Sequence, residues 1–343
     1  MPGLGSIIAV FRTAFRNRDL RRLQLAWAGF NSAEWGIWIA LVVYVYTRGG
    51  AVAAGGIALV QLIPAALLAP FLGALADRYR PGRILLAAYL ILATGLAAIA
   101  LAMTVGAPIW VIFALAPIVN LAITVPRPAQ SALLPSVVRT PTELTAAYVV
   151  GGWMDSLAVM VAPAVAGVLI AVGGPQLAVA ALAGIALAAA LLVVATPGTQ
   201  PIADPGASGG LATNVLRGVG VIWHNRPVRT LTGVLGLQFV LVGALDMFYA
   251  VLAISVLGMG ESGAGYLNSA FGAGSLIGAA LATALVARKR LAPTLMFAIV
   301  TASLALLILA VQPSVAGAFL VLALVGVGRM TFDVTGRILL QRA

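Results

Sequence analysis

The chain is written as long apolar runs separated by short polar interruptions. Stretches of about 20 apolar residues, the length that carries a helix across roughly 30 Å of hydrocarbon, recur from one end of the sequence to the other. Transmembrane β-strands would instead alternate apolar and polar residues over shorter segments. Ten helical spans are predicted, near 25–47, 52–76, 84–104, 108–126, 147–171, 176–195, 230–256, 263–286, 291–311 and 315–335. The pattern therefore predicts an all-α polytopic membrane protein.

Composition agrees with the pattern. Of 343 residues, 62% are hydrophobic and 8% charged, with a mean hydropathy of +1.10, whereas a soluble domain has roughly 25% charged residues. The net charge of +11 would elsewhere point to nucleic acid, but the basic residues sort by position. With the N-terminus inside, 19 of the 20 Lys+Arg, among them Arg22, Arg80, Arg127, Arg139 and Lys289, fall at or near cytoplasmic ends, and only Arg48 lies outside. That is the positive-inside bias of a multi-pass protein of the cytoplasmic (inner) membrane, and no nucleic-acid partner is needed to explain it.

No cysteine is present, which excludes disulfides and thiolate metal sites. The opening residues do not read as a cleavable signal, because the arginines of "IIAVFRTAFRNRDLRRLQ" follow and interrupt the apolar ones. Ile7, Phe11 and Phe15 recur at i, i+4 spacing, which predicts a helix lying in the cytoplasmic interface.

Between spans six and seven, "TPGTQPIADPGASGG" (196–210) has the composition of a linker. Leu211, Val215, Val219 and Ile222 or Trp223 then recur at helical spacing, predicting a second short interfacial helix. Four regions follow: an interfacial segment at 1–22, a six-helix bundle at 23–195, a cytoplasmic linker at 196–228 and a second bundle at 229–343. The halves resemble one another. Glu34 in span one and Asp246 in span seven sit about 12 residues before the outer ends of their spans, and the partner spans that follow end in "ADRYRPGR" and "ARKR". An even number of spans between the copies makes this a parallel repeat, whose substrate site is expected between the halves near the midplane. A complete repeat would hold twelve spans, so two more are expected after Ala343.

The end of span two carries the first distinctive motif. "GALADRYRPGR" resembles the loop between the second and third helices of the major facilitator superfamily, with Gly73, Asp77, Arg78 and Arg83 in the matching places; Arg80 stands where that pattern usually has glycine. The resemblance implies a bundle of two pseudo-repeats with ten of twelve helices present, and a gating role for this loop. Physically, Gly73 permits close helix approach, Asp77 can accept a hydrogen bond at a helix end, and Arg78 and Arg83 can bind carboxylates or lipid phosphates. The alternative is that the arginines only fix topology. "RPAQSALLPSVVRTPTELTAA" after span four, with Pro128, Ala129, Leu134, Pro135 and Leu144, is similar to the same segment in the bacterial siderophore- and macrolide-efflux group. "APAVAG", with Pro163 and Gly167, loosely resembles the fifth-helix motif of the superfamily's exporters, where a proline four residues before a glycine bends a helix and lets it pack tightly.

Four of the nine acidic residues, Glu34, Asp155, Asp246 and Asp333, fall within predicted spans. A carboxylate at mid-bilayer costs on the order of 3 kcal/mol, so it faces a cavity or a partner. Asn31 at i−3 and Trp38 at i+4 share the face of Glu34, and Tyr249 lies at i+3 from Asp246. Because burial penalises charge, Glu34, Asp246 and Asp155 are candidate proton-coupling groups. Asn31, Trp38 and Tyr249 are candidates for lining a cavity that takes an amphipathic or cationic molecule. The alternative is that each acid only fixes interhelical packing. Asp333 with Arg337 at i+4 reads as an ion pair at a helix end.

Other chemistries are ruled down. The single lysine, Lys289, sits in no Walker loop, and the single histidine, His224, forms no HExxH pair. "GASGG" matches GxSxG only formally, since it lies in the linker. Close helix packing explains Ala270, Gly274 and Gly278 on one face. The expectation is a monomeric secondary transporter, not an enzyme, with no cofactor or metal. It would exchange protons for a small amphipathic drug, macrolide or siderophore-like molecule by alternating access. An importer or facilitator, or a transporter-fold sensor or scaffold without transport, is the alternative.

Overall fold

The computed structural model describes residues 4–194, 220, 223–226, 229–230, 233, 243–245, 247–286 and 314–342. Regular structure among them is helical, as expected where no water is available to satisfy an open backbone. In chain order the helices are α1 (Leu4–Arg16), α2 (Arg18–Arg78), α3 (Pro81–Thr104), α4 (Ile109–Thr124), α5 (Pro126–Val137), α6 (Pro141–Val194), α7 (Gly263–Val286) and α8 (Val315–Arg342), with a π-helical turn at Leu252–Val256 before α7. Five stretches among the described residues are long and apolar enough to cross a membrane: Arg18–Ala69, Pro81–Thr104, Ile109–Val137, Pro141–Val194 and Val315–Phe332. The span predicted near 291–311, and most of the linker with its interfacial helix, lie outside the described residues.

Two of the long helices each hold two predicted spans, and glycine marks the joint. In α2 the helical path breaks at Gly50 (φ 67°, ψ −166°), between spans 25–47 and 52–76. In α6 it breaks at Gly173 and Gly174 (φ 76° at the latter), between 147–171 and 176–195. Both positive φ values belong to a region that residues with a Cβ rarely enter. Between α2 and α3 the link is Tyr79 and Arg80 alone. Arg80 has φ −59° and ψ 117°, so the place where the resembled loop has glycine requires no glycine here. Pro81 opens α3, where its missing N–H costs nothing.

One prediction is corrected. The segment after span four was expected to leave the membrane at about residue 126, and Arg127 was counted among the end-of-span cations. Pro126 instead sits in the first turn of α5, directly after Val125 in helical conformation (φ −76°, ψ −37°). Proline is tolerated at a helix start, so the apolar stretch continues to Val137. Arg127 then lies about 15 Å before the end of that stretch at 1.5 Å per residue.

The chain divides into two compact units: residues 1–37, 56–158 and 175–215, and residues 38–55, 159–174 and 216–343. In the first, Asn17 ties α2 to the α5–α6 connection. Its Oδ1 accepts from the backbone N–H groups of Asp19 (3.1 Å) and Leu20 (3.4 Å), capping α2, while its Nδ2 donates to the Val137 carbonyl (3.0 Å) and Glu143 Oε2 (3.1 Å). Close packing needs small residues in this unit: a Cβ on Gly36 would stand 2.9 Å from the Leu182 side chain, and one on Gly95 2.7 Å from that of Val119.

In the second unit α7 is packed through glycine on two sides. A Cβ on Gly265 would run into the Pro163 carbonyl and the backbone of Gly167, and one on Gly272 into the backbone of Val159. Gly274 and Gly278 abut the backbones of Ala323 and Val327 in α8 in the same manner, the close packing the sequence predicts for that face. Val42, Ala54 and Ala250 form a small buried cluster with Tyr46 and Met247 against it, and the Tyr46 and Ser255 hydroxyls hydrogen-bond at 2.5 Å.

Candidate functional site

The first unit holds a polar cluster inside its apolar helices. Trp27, Asn31 and Glu34 recur at i, i+4 and i+7 on α2, so they share one face. Asp155 on α6 is fixed from that face: the Trp27 indole Nε1 donates to Asp155 Oδ1 at 2.7 Å. Arg127, at the start of α5, reaches both acids. Its Nη2 donates to Glu34 Oε2 at 2.8 Å, and its Nη1 stands 3.9 Å from Asp155 Oδ2. The first contact is a charge-assisted hydrogen bond; the second is an ion pair too long to be one.

Burial grades the cluster. The Glu34 side chain is 15% exposed, that of Asp155 38% and that of Arg127 46%. Glu34 is thus the deep partner and Asp155 the open one. The guanidinium lies 5.5 Å from the centre of the Trp27 ring. Trp27 stacks on Phe30 at 5.1 Å, and Phe30 on Tyr89 at 5.4 Å, so an aromatic ladder runs from the arginine into the core. Asn31 Nδ2 donates to the Trp27 carbonyl at 2.9 Å, while the buried Asn31 Oδ1 and Tyr89 hydroxyl have no partner.

A cavity of about 270 Å³ opens beside the cluster, bordered by Trp27, Arg127, Gln130, Tyr148, Gly152 and Asp155. Two carboxylates and one guanidinium leave the ionised cluster one negative charge in excess. Unit charges 4 Å apart interact by roughly 4 kcal/mol at an effective dielectric near 20, so Arg127 cannot leave either acid without consequence. What this arrangement can do is exchange partners: a proton or another cation arriving at one carboxylate releases the arginine to the other.

The model of the Major Facilitator Superfamily matches residues 24–343. The chain belongs to the major facilitator superfamily. A structure of the nucleoside transporter NupG is similar to it with a TM-score of 0.72 at 16% identity, over 94% of this chain and 82% of that one. A bacterial homolog of the human lysosomal transporter Spinster, inward-facing and unoccupied, gives 0.69 at 17%, over 95% and 75%. A POT family transporter in complex with a thioalcohol-conjugated peptide gives 0.71 at 12%, over 93% and 82%. These likenesses concern the fold. The comparison with curated proteins finds no match. As a major facilitator protein the chain is a multi-pass transporter and not an enzyme. It works within the bilayer on small molecules, and its fold supports secondary transport by alternating access.

Of the residues singled out from the sequence of this major facilitator protein, Glu34, Asn31 and Asp155 come together in one cluster. Asp246 lies outside the described residues. Tyr249 is buried in the second unit, its ring 6.2 Å from that of Phe271, and Trp38 is half-buried in the same unit. Pro163 and Gly167 meet Gly265 as described above. Of the loop motif, Arg83 is exposed and its backbone N–H donates to the Arg80 carbonyl at 3.0 Å; the side chains of Gly73, Asp77 and Arg78 lie outside the described residues. The sequence reading missed Arg127, Trp27 and Gln130. Arg127 was visible as a basic residue beside an apolar run, and Trp27 as the residue one helical turn before Asn31 on the Glu34 face.

Proposed function

We propose that this protein exports a small amphipathic molecule across the cytoplasmic membrane in exchange for protons, with its N-terminus cytoplasmic and a single chain as the working unit. The observation that carries the reading is one guanidinium held between two carboxylates within membrane-crossing helices. Glu34 takes up a proton, Arg127 is released towards Asp155, and the charge at the cavity changes with it. Asp246, the counterpart of Glu34 in the second half, serves the same coupling there, with Trp38 and Tyr249 on the substrate path. Gly73, Asp77, Arg78 and Arg83 act as the cytoplasmic gate, and Pro163 with Gly167 lets the fifth span pack closely against α7 at the opposite gate. The similarity of the segment containing Pro128, Ala129, Leu134, Pro135 and Leu144 to siderophore- and macrolide-efflux proteins supports a drug, macrolide or siderophore-like substrate.

The test is dye and drug efflux from cells expressing the full reading frame, with and without a protonophore, for wild type, Glu34→Gln and Glu34→Gln/Asp246→Asn. Efflux that collapses in the protonophore and in both variants is expected. Efflux unchanged in the variants removes the assignment of the coupling acids.

A further inference from the structure

Five arginines gather where α1 meets α2: Arg12, Arg16, Arg18, Arg21 and Arg22, with Asp19 among them. Arg22 stands 3.9 Å from Asp19, so that acid already faces a cation. Across the elbow, Glu143 lies near Arg139 and Arg16, and its Oε2 accepts from the Arg139 backbone N–H at 2.8 Å and from Asn17 Nδ2. With Arg139 and Glu143 counted, six arginines meet two carboxylates. Arg12, Arg16, Arg18 and Arg21 are all exposed.

These arginines share their faces with apolar side chains. At the start of α2, Leu20, Leu23, Gln24 and Trp27 are buried, whereas Arg18, Arg21 and Leu25, the last 43% exposed, recur at i, i+3 and i+7 on the opposite side. Leu25 opens the first predicted span. At 1.5 Å per residue Arg21 lies about 6 Å and Arg18 about 10 Å before it, where their long stems reach a headgroup layer roughly 5–7 Å deep. On α1, Arg12 and Arg16 recur at i, i+4 beside Phe11 and Phe15, whose half-buried rings stack at 6.2 Å. Basic residues beside an aromatic strip suit a helix that lies on anionic lipid. Asn17 holds the elbow in one shape through its bonds to α2, Val137 and Glu143, so the arginines are presented on a preformed surface. Topology requires only that the charges stay on one side of the membrane. It does not require them on the faces that carry exposed Leu25 and the phenylalanine pair.

We propose that the α1–α2 elbow binds the phosphate headgroups of anionic phospholipids, with Arg12 and Arg16 on α1 and Arg18 and Arg21 on α2 as the donors. The partner is a lipid surface and not a free phosphate, because Leu25, Phe11 and Phe15 stand beside the guanidinium groups, where acyl chains run. Each arginine near an anionic surface strengthens binding by roughly fivefold, and the attraction fades beyond a Debye length of about 10 Å at 0.1 M salt. The surface goes beyond the transport reading and stands whatever molecule the protein carries.

The purified full chain in dodecylmaltoside is titrated with phosphatidylglycerol and with phosphatidylcholine carrying the same pyrene-labelled acyl chain, and energy transfer from the tryptophans reads the bound lipid. Phosphatidylglycerol is expected to bind at least about tenfold more tightly at low salt, a preference that shrinks to about threefold or less in roughly 0.5 M sodium chloride. Arg12→Gln/Arg16→Gln and Arg18→Gln/Arg21→Gln should each weaken phosphatidylglycerol by about fivefold or more, with phosphatidylcholine indifferent. Glutamine at all four positions should abolish the preference, and lysine at all four should keep most of it. Arg226→Gln/Arg229→Gln, which removes two exposed arginines elsewhere, should leave it unchanged. Thermal unfolding checks that each variant is folded; if the four-position glutamine variant is not, the two double variants and the lysine variant decide. Equal affinity for the two lipids, a preference unmoved by the glutamine variants, or one lowered as much by Arg226→Gln/Arg229→Gln overturns the proposal. Displacement of phosphatidylglycerol by millimolar inorganic phosphate overturns it as well, because the elbow is then a free-anion site.

Discussion

Arg127 Nη2 and Glu34 Oε2 lie 2.8 Å apart, joining the first turn of α5 to the middle of the first membrane span. The bond places the only cation of the cluster on its most buried acid. A carboxylate in hydrocarbon without such a partner costs several kcal/mol, so the two residues are expected to depend on each other.

That dependence is measurable in a double-mutant cycle. Arg127→Leu leaves Glu34 without its cation, Glu34→Gln leaves Arg127 with Asp155 alone, and the double variant removes both ends of the bond. Unfolding in detergent should show the double variant less destabilised than the sum of the singles by about 1–2 kcal/mol, towards the lower part of the range for contacting pairs because Arg127 is 46% exposed. Strict additivity would mean that the two side chains act independently.

Asn17 is expected to matter although its hydrogen bonds go to Asp19, Leu20, Val137 and Glu143 and not to the cluster. Its amide caps α2 and bonds to Val137 and Glu143 at once. Asn17→Ala should lower stability by about 1–2 kcal/mol, the cost of a lost cap, while Asn17→Ser, which keeps a capping oxygen, recovers about half. Thermal unfolding of both variants checks the order.

The glycines of α7 and α6 differ in what surrounds them, and alanine should separate them. At Gly265 a Cβ would meet the Pro163 carbonyl and Gly167, so Gly265→Ala is expected to destabilise by roughly 1–3 kcal/mol through overpacking. At Gly184 nothing lies within 4 Å and the backbone is helical, so Gly184→Ala should be neutral or stabilising by up to about 1 kcal/mol. The reverse order in a thermal-unfolding series would contradict the backbone contact between the fifth span and α7.

Much of the fold is legible in the sequence, because apolar run length and glycine punctuation are local signals. The joints at Gly50 and Gly173–Gly174 fall between predicted spans, and α3 and α7 begin within a few residues of their predicted starts. The site is legible only in part. Asn31 and Glu34 share a face by spacing alone. The Trp27–Asp155 bond joins residues 128 positions apart, and no local pattern encodes it. Arg127 was misplaced for a specific reason: Pro126 beside a positive charge reads as the end of a span. In the structure that proline opens a helix that continues the one before it. A rule that sorts cations by topology has no means of recognising one that is kept inside by two carboxylates.

The central claim is that Glu34 carries the proton that drives transport. It is tested most directly in proteoliposomes holding the purified full chain and an internal pH indicator, using a substrate drawn from the efflux assay. A substrate gradient is imposed, and the proton movement of protein-free vesicles is subtracted. Wild type should move protons against the substrate flow, while Glu34→Gln should lose that movement and still exchange labelled for unlabelled substrate. Proton movement of equal size in wild type and Glu34→Gln would contradict the account.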